Sequence, residues 1–331
     1  MPINTNPFDY HNWLPSNLFE NDGALFLKWT YLCDVRFDMP FFDESLAKCR
    51  TRNSMKGSDE KKIRITPIDF LSEVAKTVDA VEPSLFIFHT SRCGSTLTTQ
   101  VLTIDSRNIV FPEYIIVDSI LRSTIKQIPV SEEKRKEWLN DLIKIMGHKR
   151  FPTEERLIIK LDSWHFCYYT LLRELYPKVP FAILYREPEA ILRSNNKQWG
   201  MQFIPELVSP SLFGIEMDTS STFSLNRYAN QVLQSMYATI LIIAHTDSNS
   251  LLLDYSNGVK ENLHQLTKIL HIDQLFLQRK DVYDRLKFHS KRPKTIYTKE
   301  EHHEQRLAFE KTIRIWEQLN AKLVIRNAIK F

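Results

Sequence analysis

The chain is poor in glycine and cysteine, and it has no apolar run of membrane-spanning length. Seven glycines in 331 residues leave no flexible linker or glycine-rich repeat. The four cysteines, Cys33, Cys49, Cys93 and Cys167, form no C-x-x-C pair and have no zinc-ligand spacing, so we expect reduced thiols. The apolar run 238–244 is far too short to cross a bilayer. We therefore expect a cytoplasmic protein with no membrane partner.

The N-terminus and the net charge argue against a secreted protein and against a nucleic-acid-binding protein. Residues 1–7 have neither the basic start nor the apolar stretch of a secretory signal peptide. The net charge of +4 suits a polyanionic small ligand but is too mild to indicate nucleic acid as a partner. Hydrophobic content of 43% and charged content of 25% are typical of a globular protein.

The most informative segment is a short apolar run followed by a polar turn and a helix start. The run Leu85–Phe88 predicts a buried strand, and a helix is expected to continue from Leu97. Between them lie His89-Thr90-Ser91-Arg92-Cys93-Gly94-Ser95-Thr96. Such a loop binds anions, because main-chain N–H groups and the positive end of the helix dipole face the ligand. Its arginine adds a fixed positive charge, and its hydroxyl groups add donors.

This segment, loop 89–97, differs from the triphosphate-binding loop of kinases and GTPases. That motif, G-x-x-x-x-G-K-[ST], needs a lysine directly after its second glycine. Gly94 fits the second glycine, but Ser95 stands in the lysine position and Thr90 lies near the position of the first glycine. An ATP kinase or GTPase is therefore disfavoured, and a nucleotide or small-molecule kinase stays as an alternative.

The residue order of loop 89–97 resembles the loop of sulfotransferases that use 3′-phosphoadenosine 5′-phosphosulfate (PAPS). The form Ser-Arg-x-Gly-Ser-Thr-Leu is similar to the bacterial branch of that family, in which arginine often replaces lysine. The resemblance implies a P-loop-like fold, PAPS as sulfuryl donor, adenosine 3′,5′-bisphosphate as product and no metal. It implies that the cofactor's 5′-phosphosulfate is held by Ser91, Arg92, Cys93, Gly94, Ser95, Thr96 and Leu97.

A second segment matches the same family. The apolar run 179–184 predicts a buried strand that ends at Tyr185-Arg186. The family binds the cofactor's 3′-phosphate through an arginine at a strand end and a serine eight residues later on the next helix, and Arg186 and Ser194 have this spacing. A third, weaker match is 251–257, which resembles a late strand that ends in a tyrosine-containing turn. The three matches occur in the family's order.

Basic residues cluster at 279–294, and the stretch His289-Ser290-Lys291-Arg292 is a candidate for closing over the 3′-phosphate. The family's R-K-G-x-x-G pattern is missing there. Only Lys291 and Arg292 are carried over, as cofactor-binding candidates. The stretch 301–304, Glu-His-His-Glu, is expected to be a solvated helical turn and not a metal site, because adjacent helix residues point about 100° apart.

The resemblance also suggests roles in catalysis. Sulfuryl transfer resembles phosphoryl transfer, in which the nucleophile and the leaving group are in line with the transferred group. The protein mainly positions the donor and stabilises negative charge on the leaving phosphate. Arg92 is the candidate for stabilising the leaving phosphate. Because arginine stays protonated in proteins, it would act by charge and hydrogen bonds alone.

The general base has more than one candidate. The sequence context of Glu113 resembles that of the glutamate that some family members use as general base. Partial burial at a strand end would raise the pKa of this carboxyl group, which would suit it to accept a proton. His165 is the second candidate. His89 is the third and is expected to lie buried under the loop. Lys160 would either reach the transferring group or snorkel outward.

The order of elements predicts the fold class. Strands alternating with helices indicate a P-loop-like parallel sheet flanked by helices on both faces. We expect residues 1–80 to form an aromatic-rich N-terminal extension, irregular or in short strands, packed on a sulfotransferase-like α/β domain over 81–331. Thr66-Pro67-Ile68-Asp69 predicts a helix start, and Thr298-x-x-Glu301 predicts a second one.

The predicted activity is transfer of a sulfuryl group from PAPS to a soluble small-molecule acceptor. A hydroxyl is the expected acceptor group, and an amine or carbamate nitrogen is an alternative. A catalytically inactive nucleotide-binding protein is the alternative from another functional class. Both phosphate motifs fall at the carboxyl ends of predicted strands, where parallel α/β sheets bind their ligands.

Overall fold

A computed structural model describes residues 6–55, 63–122, 130–217, 222–289, 292–296 and 307–329. The chain divides into two units. The first comprises Met1–Phe86, Thr99–Lys160 and Leu171–Pro177. The second comprises Ile87–Thr98, Leu161–Thr170 and Lys178–Phe331. Within the described ranges, no helix has the length and apolar character needed to cross a membrane. The domain boundary expected at residue 80 stays a prediction.

The first unit begins with a three-stranded antiparallel sheet. Its strands are β1 (Trp13–Asn21), β2 (Ala24–Tyr31) and β3 (Ile63–Pro67), in the order β1-β2-β3. Asp22 and Gly23 join β1 to β2 with φ values of 50° and 75°, as a tight two-residue hairpin turn requires. Helix α1 (Phe42–Met55) follows β2. The N-terminal region is thus more regular than the sequence suggested.

The helix start predicted at Thr66-Pro67 is wrong. Both residues belong to β3, where they pair with β2. The buried hydroxyl of Thr66 accepts a hydrogen bond from the indole N–H of Trp29 at 2.9 Å, so a tertiary contact holds it in the strand. Pro67 is the last residue of β3, where a missing N–H disturbs the sheet least. Helix α2 (Phe70–Ala75) begins after it.

A five-stranded parallel sheet with flanking helices confirms the predicted α/β class. Its order is β5-β6-β4-β7-β8. The strands are β4 (Pro83–His89), β5 (Asn108–Pro112), β6 (Arg156–Lys160), β7 (Phe181–Tyr185) and β8 (Ser250–Asp254). From β4 the chain passes to β5 and β6 on one side and then to β7 and β8 on the other.

Helices connect these strands and continue the chain after β8. They are α3 (Ser95–Leu102), α4 (Ile115–Arg122), α5 (Glu132–Met146), α6 (Tyr169–Leu175), α7 (Pro188–Lys197), α8 (Leu225–Thr246), α9 (Val259–Ile269), α10 (Lys280–Lys287) and α11 (Glu310–Ile329). A short antiparallel pair, β9 (Phe288–His289) and β10 (Arg292–Ile296), follows α10. The helix start predicted at Thr298 lies outside the described residues.

Each unit has its own aromatic core. In the first unit, the ring of Phe42 lies 4.8 Å from that of Phe111 and 4.6 Å from that of Tyr114. In the second, Phe88 packs against Phe166, Tyr169 and Phe181 with centroid distances of 5.6, 5.1 and 5.4 Å. Leu85–Phe88 of β4 are completely buried, as expected for a strand covered on both faces.

Candidate functional site

Loop 89–97 connects β4 to α3 and has an unusual backbone. Ser91, Arg92 and Gly94 have φ values of 67°, 52° and 79°. Successive residues in or near the left-handed region can turn their N–H groups into an anion-binding concavity. The N–H of Ser91 itself donates to the ring of His89. Non-glycine residues adopt this conformation at an energetic cost, and such strain concentrates at binding sites. The backbone of this loop is therefore suited to an anionic ligand.

Two buried residues support the loop from below. The Nδ1 atom of His89 accepts a hydrogen bond from the N–H of Ser91 at 3.1 Å. The N–H of Thr90 donates to the carbonyl oxygen of Leu184 in β7 at 3.0 Å. His89 is buried, as the sequence suggested. This position makes it a support of the loop and removes it from direct contact with an acceptor.

Gly94 is required where it stands. A Cβ atom at this residue would lie 2.9 Å from Cε2 of Tyr255 and 3.0 Å from Cγ2 of Val259. Its positive φ adds a second reason for glycine. The loop thus packs directly on the turn after β8 and on the start of α9. The weak third sequence match, 251–257, supplies one of these contacts.

The first turn of α3 supplies further donors. The N–H groups at a helix start have no partner within the helix, and the positive end of the helix dipole lies there. The first turn contains no acidic residue. Ser95 and Thr96 are buried in this turn, and Leu97 follows them half-buried. These positions agree with a role of the turn in holding an anion.

Arg186 lies against the loop. Its Nη1 atom donates a hydrogen bond to the carbonyl oxygen of Arg92 at 3.0 Å. Its guanidinium carbon lies 4.6 Å from the ring centroid of Tyr255. Its own carbonyl oxygen accepts a hydrogen bond from the hydroxyl of Tyr237, and burial raises the pKa of that phenol well above its usual value. Arg186 is therefore fixed on several sides before any ligand is bound.

Arg92 and Cys93 have different roles in the loop. The Nη2 atom of Arg92 donates to the carbonyl oxygen of Gln198 at 2.7 Å, beyond the end of α7. Cys93 is buried, and its thiol donates to the carbonyl oxygen of Leu184 at 3.3 Å. A thiol held in this way packs the loop against β7. Ser194 is half-buried on α7.

Glu113 and Lys160 form an ion pair in the first unit. The Nζ atom of Lys160 lies 2.5 Å from Oε1 of Glu113, and the N–H of Glu113 donates to the carbonyl oxygen of Lys160 at 2.8 Å. The Lys160 side chain is 0% exposed and that of Glu113 is 20% exposed. Lys160 therefore does not snorkel outward. The contact holds the Glu113 carboxylate against the last residue of β6.

His165 is completely buried in a short 3₁₀-helix, His165–Tyr168. Its Nδ1 atom accepts a hydrogen bond from the N–H of Asp162 at 3.2 Å, and Nε2 lies 3.8 Å from the Asp162 carboxylate. A ring that accepts at Nδ1 carries its proton at Nε2, towards the acid. This geometry fixes the turn after β6 and argues against direct contact of His165 with an acceptor.

The downstream basic candidates are only partly described. Lys291 lies outside the described residues. Arg292 begins β10, where its backbone pairs with that of His289. Elsewhere in the basic cluster, Arg279 pairs with Asp281 and Lys287 pairs with Asp284. Their charges are thus partly neutralised by acids on the same helix.

Sequence reasoning did not assign site roles to Tyr255, Tyr237 and Gln198. Tyr255 was visible as the tyrosine that follows a predicted strand. Its contacts with Gly94 and Arg186 depend on the pairing of β7 with β8, which the sequence does not specify. Tyr237 lies within the predicted helix 223–244, and no sequence signal marks its bond to Arg186.

Comparison with known proteins gives a limited result. No family model and no curated protein matches the sequence. Among solved structures, the fold is similar to a sulfotransferase domain from the curacin biosynthetic pathway. The match has a TM-score of 0.42 and 18% sequence identity, and it covers 73% of this chain and 99% of that domain.

Proposed function

We propose that this chain is a PAPS-dependent sulfotransferase that transfers a sulfuryl group to a small-molecule hydroxyl, or to an amine or carbamate nitrogen. One observation carries the proposal. Two segments 94 residues apart, each resembling a PAPS-binding motif, touch through Nη1 of Arg186 and the carbonyl oxygen of Arg92. The neighbouring positions of β4 and β7 bring the two motifs together at one loop, as binding of both ends of one nucleotide requires.

The chemistry of the donors suits a doubly phosphorylated nucleotide. Loop 89–97 and its neighbour Arg186 bring several donors together. They are two guanidinium groups, the N–H groups at the start of α3 and the buried hydroxyls of Ser95 and Thr96. The first turn of α3 contains no acid. Charge-assisted hydrogen bonds of this kind are the strong ones in phosphate recognition. We assign the 5′-phosphosulfate to residues 91–97 and the 3′-phosphate to Arg186 and Ser194, with Lys291 and Arg292 as additional candidates. PAPS would supply the sulfuryl group and leave as adenosine 3′,5′-bisphosphate.

The proposed roles in transfer follow from charge and position. Arg92 stabilises negative charge on the leaving phosphate, and no metal is needed for that purpose. Glu113 accepts the proton of the acceptor. Lys160 orients this carboxylate through their 2.5 Å contact. His165 acts as a positioning residue, because it is buried against Asp162.

Calorimetric titration of the full chain tests the class of nucleotide. Adenosine 3′,5′-bisphosphate in the presence of EDTA should bind at least about tenfold more tightly than ATP with magnesium. Preferential binding of magnesium–ATP would instead identify a kinase. Turnover is then measured with PAPS and a panel of phenols, alcohols and amines. Tight nucleotide binding without transfer to any acceptor in the panel would favour the inactive nucleotide-binding protein.

A further inference from the structure

The first unit contains a cavity that the proposed function does not use. Its volume is about 200 Å³. An apolar cavity of about 150 Å³ accommodates a benzene ring in another protein, so this one has room for a one-ring molecule. Much of its wall is apolar, formed by Leu14, Leu32, Val78, Ile109, Ile145 and Met146.

One end of the cavity is polar. The guanidinium group of Arg150 lies 4.6 Å from the ring centroid of Phe37, and its Nη2 atom donates to the carbonyl oxygen of Val35 at 2.5 Å. Its Nε atom is buried and has no hydrogen-bond partner within the described part of the chain. The same holds for Nε2 of His11, which also lines the cavity.

These two nitrogens call for a ligand or for water. A buried N–H group without an acceptor costs about 1–3 kcal/mol. Buried polar groups of native proteins therefore almost always have a partner. Burial also lowers the pKa of Arg150, because desolvation disfavours the charged guanidinium group. An anionic hydrogen-bond acceptor in the cavity would accept a hydrogen bond from Nε of Arg150 and would also compensate the charge of its guanidinium group.

The charges around the cavity leave room for one anion. Arg36 and Arg150 are the cations of the wall, and Asp38 and Glu154 are its acids. Asp38 is paired with Lys48 at 2.9 Å. Because Lys48, outside the wall, engages Asp38, the two wall cations Arg36 and Arg150 face one remaining acid, Glu154. Oε2 of Glu154 accepts the N–H groups of Arg150 and Phe151 at 2.7 and 3.0 Å, so this carboxylate is bound to the backbone.

A neighbouring groove adjoins the cavity. Four of the residues that line the groove also line the cavity, namely His11, His148, Arg150 and Phe151. The polar end of the cavity, with its two partnerless nitrogens, is therefore the end that faces the groove. A ligand with an anionic head and an apolar body would enter tail first and leave its head at this end.

We propose that this cavity binds a small apolar monocarboxylate of about one ring in size. The carboxylate accepts hydrogen bonds from Nε of Arg150 and from His11, and the apolar body lies among the aliphatic side chains. This binding site is independent of loop 89–97. It belongs to the first unit alone.

Calorimetry on the full chain tests the proposal with benzoate and phenylacetate as probes and with benzamide and phenylacetamide as neutral controls. At least one acid should bind about tenfold or more tightly than its amide, because only the acid carries a charge for Arg150. Arg150→Lys keeps the charge but removes Nε as a donor, and it should weaken acid binding by about tenfold. Arg173→Lys, at a half-buried arginine that also donates to backbone carbonyls, should change nothing.

Val78→Phe is the second variant, because Val78 lines the cavity and is neither of the two proposed donors. It should abolish binding of both acids while the far-UV circular dichroism spectrum and the melting transition are retained. Absence of binding by either acid to the wild-type chain would mean that the cavity holds only water. Equal binding of acid and amide would overturn the carboxylate assignment. Binding unaffected by Val78→Phe would place the ligand elsewhere.

Discussion

The guanidinium group of Arg186 donates a hydrogen bond to the main-chain oxygen of Arg92, and thereby ties the end of β7 to loop 89–97 at 3.0 Å. The ring of Tyr255 covers the same guanidinium group, and the hydroxyl of Tyr237 holds the Arg186 carbonyl oxygen. A cation fixed in this way loses little conformational entropy when it binds a phosphate. Preorganisation is thus built into the packing of the second unit.

The first prediction concerns the two arginines. Arg186→Ala and Arg92→Ala should each weaken binding of adenosine 3′,5′-bisphosphate by roughly 2–4 kcal/mol, because each removes charge-assisted phosphate contacts. Arg186→Lys should also lose affinity, since a lysine cannot reproduce the planar fork. Arg279→Ala is the control, because Arg279 is exposed and paired with Asp281. If calorimetry showed wild-type affinity for adenosine 3′,5′-bisphosphate in Arg186→Ala or Arg92→Ala, the nucleotide assignment would be contradicted.

The second prediction concerns Gly94. Gly94→Ala introduces a Cβ atom 2.9 Å from the Tyr255 ring at a φ of 79°. We expect a loss of about 1–3 kcal/mol in the free energy of unfolding and reduced nucleotide affinity. Gly214→Ala is a matched control, because Gly214 has a φ of 65° but no atom within 4 Å of the new Cβ. If both variants lost the same stability in urea titrations, the contact with Tyr255 would have no part in the effect.

A double variant separates the two causes further. Gly94→Ala combined with Tyr255→Ala removes the obstructing ring but leaves the unfavourable backbone angle. Its loss should be smaller than the sum of the two single losses, because residues in contact are not additive. Additive losses would argue that the ring yields freely to the new methyl group.

Local signals in the sequence predicted the strands and the loop but not the contacts between them. Leu85–Phe88 and the run before Arg186 are apolar segments that end in polar turns, and both form the predicted strands β4 and β7. The helical spacing of Phe42, Leu46 and Cys49 would have revealed α1. Thr66 misled because its capping preference was outweighed by its bond to Trp29.

The ion pair between Glu113 and Lys160 shows why the rest was out of reach. Glu113 follows Pro112, which pairs with Lys160 in the parallel ladder of β5 and β6. Both residues were singled out separately because both lie near strand ends. Their contact requires that β5 and β6 be neighbours in register, and strand order is a tertiary property that periodicity does not encode.

The third prediction concerns the stability of this ion pair. Lys160→Met removes the buried ammonium group from the ion pair, and Glu113→Gln removes the carboxylate that lies 2.5 Å from that ammonium group. Each single change should lower the free energy of unfolding by about 2–4 kcal/mol. The double variant should regain most of this loss, because no uncompensated charge stays behind. A double-variant cycle in urea measures the coupling, and a coupling near zero would contradict a direct interaction.

The same variants test the proposed base. Glu113→Gln should slow sulfuryl transfer while affinity for adenosine 3′,5′-bisphosphate is retained. The double variant with Lys160→Met should be equally slow although its stability has recovered, which separates chemistry from folding. His165→Ala should act mainly on stability, because His165 is buried against Asp162. A selective loss of transfer in the His165 variant with normal rates in Glu113→Gln would assign the base to His165.

The fourth prediction concerns thiol reactivity. Cys167 is exposed, whereas Cys33, Cys49 and Cys93 are buried. Burial raises the pKa of Cys49 to about 11, so very little of it is thiolate at pH 8. Titration of the native chain with an aromatic disulfide reagent at pH 8 should therefore show one fast thiol, which Cys167→Ser removes. All four cysteines should react after unfolding in guanidinium. A second fast thiol that bound nucleotide protects would identify Cys93 as accessible to solvent in the loop.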